Sequence, residues 1–277
     1  MSDPDGEIAH VSDTALMVAA CRAFETGLED AFVRDPFAAR LVGERGLGIL
    51  ETWPHVERSR LAIAMRTRFI DELLLEALAA HPISTVLSVG CGLDTRPWRL
   101  QLPSELRWIE VDFAGILDYK DRLMSGETPR CRRERRAVDL NNPAERCAMY
   151  EAAGSVPALI ITEGLLLYLP EATVEALAAE TREQCGAAYW ISDITTSAFR
   201  PQGTQSVRRV QASDSLPGEQ ILEVLRSHGW TTAARRSYIT DAGFAQERIN
   251  RMMGGATPPR SPVPTDDPTG VHLFAGG

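Results

Sequence analysis

The chain has 277 residues, 44% of them hydrophobic and 24% charged, and a formal net charge of −9 at pH 7. That is enough apolar residue for one enzyme-sized domain with a large core. The acidic balance excludes nucleic acid as a general partner, because phosphate binding needs a basic face.

Ser12-Asp13-Thr14 caps a helix expected from Ala15 to about Glu25. A second helix is expected to start at Asp35-Pro36-Phe37, with proline in its first turn. A third, from about Arg58 to Ala80, carries Leu61, Met65, Phe69, Leu73 and Ala77 at helical spacing, with Arg66 and Arg68 on its polar side. His81-Pro82 ends it. Strand and helix then alternate. Strands are expected near 85–89, 107–112, 135–139, 157–162 and 187–194, with a helix from about Glu171 to Cys185. Thr231 to Thr240 and Val271 to Ala275 read as two further strands, and Gly254–Gly270 as a Pro- and Gly-rich loop. Such alternation gives an α/β fold, a mostly parallel sheet covered on both faces. It divides the chain into an N-terminal helical cap (1–82) and an α/β core (83–277).

The basic run 130–136 reads as a solvated loop leading into a strand. Cys21, Cys91, Cys131, Cys147 and Cys185 form no C-x-x-C pair, and the five histidines show no ligand spacing. Neither a metal site nor a disulfide framework is therefore expected, and a reducing cytoplasm fits this inventory. The N-terminus is acidic without a signal-like apolar run, and no apolar stretch is long enough to span a bilayer.

The most informative stretch is Val86-Leu87-Ser88-Val89-Gly90-Cys91-Gly92-Leu93-Asp94-Thr95-Arg96. It reads as a buried strand running into a glycine turn, and ligands of open α/β sheets bind at the carboxyl ends of strands. Gly90 and Gly92 let the backbone turn sharply and approach a ligand closely. A dinucleotide asks for G-x-G-x-x-G, but here the third glycine is missing and Asp94 stands in the turn. A carboxylate there repels a pyrophosphate. It tolerates S-adenosylmethionine, which carries a sulfonium, an ammonium and one carboxylate but no phosphate. A second acidic signal, Glu110-Val111-Asp112, closes the next strand. Both acids point to one face, so either could hold an adenosine ribose. The competing readings are a tight turn without ligand and an ordinary acidic strand end.

At this point the residues carry a resemblance. Val11-Ser12-Asp13-Thr14-Ala15, Arg34-Asp35-Pro36-Phe37-Ala38, Arg66-Thr67-Arg68-Phe69-Ile70-Asp71 and Gly90-Cys91-Gly92-Leu93-Asp94-Thr95-Arg96 occur in order. Glu110-Val111-Asp112 with Lys120, Val138-Asp139-Leu140 and Thr162-Glu163-Gly164-Leu165-Leu166-Leu167-Tyr168-Leu169 follow. Together they resemble the leucine carboxyl methyltransferase family of class I S-adenosylmethionine-dependent methyltransferases, in its bacterial branch acting on polyketides and other small molecules. The resemblance spans roughly residues 11 to 200. It implies a Rossmann-like, mostly parallel seven-stranded sheet with an N-terminal helical cap. It also implies that the turn at Gly90, Gly92 and Asp94 lies beneath the methionine part and that Asp112 holds the ribose. Asp139 and Leu140 flank the adenine, and Glu163 lies near the ammonium. Arg66, with Arg22 as a second candidate, reaches the methionine carboxylate, since guanidinium pairs bidentately with carboxylate. Arg96 reads as a structural partner of a nearby carboxylate.

The expected reaction is methylation of a carboxylate or hydroxyl of a small molecule in specialised metabolism. The expected work of the protein is alignment, which can supply roughly 7–11 kcal/mol. A carboxylate acceptor needs no general base; a hydroxyl normally does, and Tyr168 and Glu163 stand near the right place. The N-terminal helices and the 195–217 segment are expected to form the acceptor pocket; Trp53, Trp98, Tyr119 and Phe199 are aromatic candidates for its walls, with core packing the stronger reading of each. Two alternatives remain: a protein C-terminal carboxyl group as acceptor, and a cofactor-binding protein without turnover.

Overall fold

A computed structural model of the chain describes residues 13–51, 56–154, 157–199, 216–252 and 263–277. Ser12, Trp53 and most of the 195–217 and 254–270 segments lie outside them. Helix α1 (Asp13–Thr26), α2 (Ala38–Glu51) and α3 (Val56–Ala80) precede the first strand. Asp35 starts α2: its Oδ1 accepts the N–H groups of Phe37 and Ala38, both at 3.1 Å. A kink at Gly43, φ 58°, breaks the helix geometry of α2.

The sheet has seven strands in the order β3-β2-β1-β4-β5-β7-β6. They are β1 (Thr85–Val89), β2 (Arg107–Asp112), β3 (Arg132–Ala137), β4 (Ala158–Thr162), β5 (Ala187–Ile194), β6 (Trp230–Ser237) and β7 (Gly270–Gly276). The strands from β3 through β5 pair in parallel, and β7 runs antiparallel to both neighbours. This is the expected mostly parallel sheet. Every residue of β1 and β4 is buried, which is why both read as unbroken apolar runs.

Two apolar layers cover the sheet. On one face, Phe69, Ile70, Leu73 and Leu74 of α3 pack on Val86, Trp108, Leu159 and Ile191. Burying each such side chain contributes about 1.5–3 kcal/mol. On the other face, α6 (Pro143–Ala153), α7 (Glu171–Cys185) and α8 (Gly218–Ser227) cover Leu87, Ile109 and Ile160. Helices α1 and α2 pack instead over the carboxyl ends of the strands, with Leu16, Leu41, Leu93, Ile116 and Tyr119 in one cluster. Trp98 and Tyr119 belong to that cluster and are core, not acceptor wall.

Two boundaries differ from the sequence reading. The basic run is not a loop: Arg132–Ala137 is β3 itself, an edge strand starting three residues earlier than 135–139 and ending at 137. Two of its arginines pair with acids of β2 and of the helix Ala114–Leu123: Arg133 with Glu110 (2.6 Å) and Asp121 (2.7 Å), and Arg135 with Asp118 (2.5 Å). Charge on an edge also blocks pairing with a second sheet. Strand β6 stops at Ser237, short of Thr240, because the Ser237 hydroxyl accepts the N–H groups of Ile239 and Thr240 and turns the chain. Among the described residues, no helix is long and apolar enough to cross a membrane.

Candidate cofactor site

The carboxyl ends of β1, β2 and β4, roofed by α1 and α3, enclose a cavity of about 290 Å3. The glycine turn forms its floor. Gly90 (φ 65°) and Gly92 (φ 46°) both adopt left-handed backbone. The N–H groups of Gly90 and Cys91 donate to Val111 O at 2.8 and 3.1 Å and fasten the turn to β2. A Cβ on Gly90 would stand 2.8 Å from Leu165 Cδ1, so glycine keeps this wall bare. The Cys91 thiol is pushed well up by burial and is not a nucleophile.

Asp112 reaches under the turn. Its Oδ2 accepts Gly92 N–H at 2.8 Å and its Oδ1 accepts Phe113 N–H at 2.8 Å. A glycine N–H that would face pyrophosphate in a dinucleotide fold thus serves a carboxylate here. Burial pushes the Asp112 carboxyl up, and the two N–H groups pull against it. The choice between the two strand-end acids is also settled. Glu110 is fully buried against Lys120 Nζ (2.7 Å) and Arg133 and does not line the cavity; Asp112 does.

The opposite wall is a chain of charges. Glu163, just past β4, accepts from Arg66 Nε at 3.0 Å through Oε1 and from Arg96 Nη1 at 2.7 Å through Oε2. Burial alone would raise the Glu163 carboxyl; the guanidiniums of Arg96 and Arg66 outweigh it and hold the group well below the usual carboxylate range. Arg66 Nη1 lies 3.5 Å from Asp193 Oδ2 at the end of β5. Arg96 is buried, donates to Asp71 Oδ1 at 2.6 Å and sits 3.2 Å from Asp94 Oδ2, confirming it as a structural partner of carboxylates. Asp94 Oδ1 also accepts Arg96 N–H at 2.9 Å. Arg22, on α1, lines the cavity but is anchored: Nε donates to Asp35 Oδ2 (2.9 Å) and Nη2 to Leu93 O (2.6 Å).

The cavity therefore gathers Arg22, Arg66, Gly90, Gly92, Asp94, Asp112, Glu163 and Tyr168 from the sequence reading. Asp139 and Leu140 are not on its lining. Asp139 Oδ1 accepts Asn141 N–H in the turn after β3, and Leu140 is buried with its carbonyl on Arg146 Nη1. The sequence reading missed Phe113, which lines the cavity with more than half its surface exposed. It also missed Asp71 and Asp193, which stand behind the arginines. Asp71 closes the R-T-R-x-x-D motif, and the spacing that sets it one helical turn beyond Arg68 was the available signal. Among the described residues, no group of three or more His, Cys, Asp or Glu could hold a metal ion.

The profile of the leucine carboxyl methyltransferase family matches residues 15–182 of this chain. The chain belongs to that family. A Streptomyces avermitilis protein named "Putative S-adenosyl-L-methionine-dependent methyltransferase" is 38% identical over 191 residues, 63% of this chain and 65% of that protein. The chain thus spans just under two thirds of that relative's length. A Mycobacterium marinum protein with the same name is 31% identical over 264 residues, covering 84% of this chain and 87% of its own. Among solved structures, a duf574 family protein from Streptomyces avermitilis superimposes with a TM-score of 0.60 at 16% identity, over 94% of this chain and 97% of its own. A Thermobifida fusca protein, titled a putative methyltransferase, gives 0.52 at 17% identity over 95% and 93%. The fold is that of the class I methyltransferases.

Membership of this family makes S-adenosylmethionine the cofactor, and the residues fit it. The bare glycine floor, the Asp112 carboxylate, and Glu163 beside Arg66 put hydrogen-bond acceptors and a guanidinium in one cavity, the chemistry that hydroxyls, an ammonium and a carboxylate need.

Proposed function

We propose that this chain is a methyltransferase that esterifies the carboxylate of a small, largely apolar molecule. The observation that carries the cofactor half of this reading is the bond from Gly92 N–H to Asp112 Oδ2, which converts a phosphate cradle into an acidic one. When bound, S-adenosylmethionine supplies an electrophilic methyl group. The protein's part is to hold and orient. Asp112 accepts from the ribose, Glu163 accepts from the ammonium, and Arg66 faces the carboxylate.

The acceptor half rests on what the cavity offers a nucleophile. Met17, Val18, Ile63, Leu165 and Leu167 give its walls an apolar stretch suited to a hydrophobic body. Among the described residues no histidine lines it. Glu163, held below the usual carboxylate range by two guanidiniums, is a weak base. Tyr168 lines the cavity, but among the described residues no neighbouring histidine is there to take its proton. A cavity with no histidine among its described lining residues favours an acceptor already ionised at neutral pH, a carboxylate rather than a hydroxyl. A role in specialised metabolism and a cytoplasmic location belong to the same proposal; the five cysteines are free thiols.

The test is transfer of labelled methyl from S-adenosylmethionine to a panel of small carboxylic acids, phenols and C-terminally free peptides. The proposal expects label in a base-labile ester of a small acid. Base-stable ethers point to a hydroxyl acceptor, and labelled peptides to a protein carboxyl group. Tight cofactor binding with no transfer to any acceptor refutes turnover.

A further inference from the structure

Two buried polar groups lie outside the cavity, at the end of the strand order that the family profile does not reach. The first is Asp193. Its Oδ1 accepts Gly164 N–H at 2.6 Å, and its Oδ2 has Arg66 Nη1 at 3.5 Å. The second is Tyr238, the first residue after β6. Its hydroxyl oxygen is buried and has no hydrogen-bond partner among the described residues, a state costing about 1–3 kcal/mol.

Sheet register sets them two strands apart, on either side of β7. Ser237 lies beside Gly270 of β7, and Gly270 beside Ile194 of β5, the residue after Asp193. Gly270 has no side chain to stand between them, and a Cβ there would run into Arg236 O. The Tyr238 ring is fixed from two sides. It stacks on Phe69, one helical turn beyond Arg66, with centroids 5.9 Å apart and planes at 15°, and lies 5.9 Å from the Phe199 ring. The hydroxyl feels the charges of Asp193, Arg66 and Glu163.

Arg66 cannot serve two carboxylates and a ligand equally. A methionine carboxylate drawing its guanidinium into the cavity takes it from Asp193, whose contact is already the longest. A buried carboxylate left alone is expensive. We propose that Tyr238 is a positioning residue. Its hydroxyl donates to Asp193 Oδ2 when Arg66 turns to the amino-acid end of the cofactor, so that Asp193 stays ionised and Arg66 is released at low cost. This rests on the cofactor reading above and extends it to a residue beyond the matched segment.

The experiment compares wild type and Tyr238→Phe by calorimetry with S-adenosylhomocysteine and with methylthioadenosine, which has the same nucleoside but no amino-acid end. Phenylalanine keeps the ring stack, so the melting temperature should stay within about 2 °C. Affinity for S-adenosylhomocysteine should fall about tenfold, as for a lost hydrogen bond to a charged group, and affinity for methylthioadenosine by less than about twofold. On an Asp193→Asn background the tyrosine substitution should then have no further effect. An unchanged affinity for S-adenosylhomocysteine, equal losses for both ligands, or full additivity of the two substitutions overturns the proposal. Wild type that binds neither ligand overturns the cofactor reading, and this inference with it.

Discussion

Glu163→Gln tests the electrostatic wall of the site. Among the described residues, Glu163 is the one carboxylate that touches both Arg66 and Arg96. Glutamine keeps the shape but has a single acceptor oxygen. It can take a hydrogen bond from one guanidinium and must turn its NH2 toward the other. Arg96 retains Asp71 and Asp94, and Arg66 retains Asp193, so neither cation is stranded. The loss therefore falls at the lower end of that for a broken buried pair, about 3 kcal/mol. At roughly 2–4 °C per kcal/mol for a chain of this size, the melting temperature should drop by about 6–12 °C at pH 7. The pH dependence has a definite sign. The carboxyl is depressed in the fold relative to its ordinary 4.5, so its contribution is complete above that value. It fades as pH falls through the lower folded value. The gap between wild type and variant should be constant from pH 8 to 5 and shrink in more acid solution. The assay is thermal unfolding across that range. A shift under about 1 °C at neutral pH, or a gap that widens on acidification, refutes the argument.

Asp112→Ala should reduce S-adenosylhomocysteine affinity by at least about 100-fold, since two ribose hydrogen bonds to a carboxylate are lost. Stability should also fall, by about 1–3 kcal/mol, because the N–H groups of Gly92 and Phe113 lose their acceptor; calorimetry and thermal melts read the two effects separately. Lys120→Met should lower stability alone. Lys120 and Glu110 form a fully buried pair outside the cavity, so its loss should cost about 3 kcal/mol while cofactor affinity stays within about twofold. Equal affinity losses in both variants would mean that Asp112 acts through the fold, not through the ligand.

The parts of this molecule legible in the sequence are those with an apolar or glycine signature. Strands β1, β2, β4 and β5 are buried runs, and their bounds match the sequence reading closely. Gly90 and Gly92 announce a left-handed turn, and the structure puts positive φ at both. Strand β3 was misplaced because its stability comes from neighbours distant in sequence: Arg133 and Arg135 look solvated until Glu110, Asp118 and Asp121 are set beside them. The same limit left Glu110 and Asp112 indistinguishable. Alternation gives them one face, but Lys120, ten residues on and folded back by α5 (Ala114–Leu123), and Arg133 of β3 claim Glu110. The D-P-F motif was visible; that Asp35 ties Arg22 to Thr95, and so α1 to the glycine turn, was not.

The most direct measurement is calorimetric titration of the chain with S-adenosylhomocysteine and, separately, with NAD. One saturable site for the first and no heat from the second are the expected results, because Gly92 N–H is held by Asp112 and no phosphate cradle remains. Saturable binding of NAD, with none of S-adenosylhomocysteine, would contradict the assignment of the acidic turn.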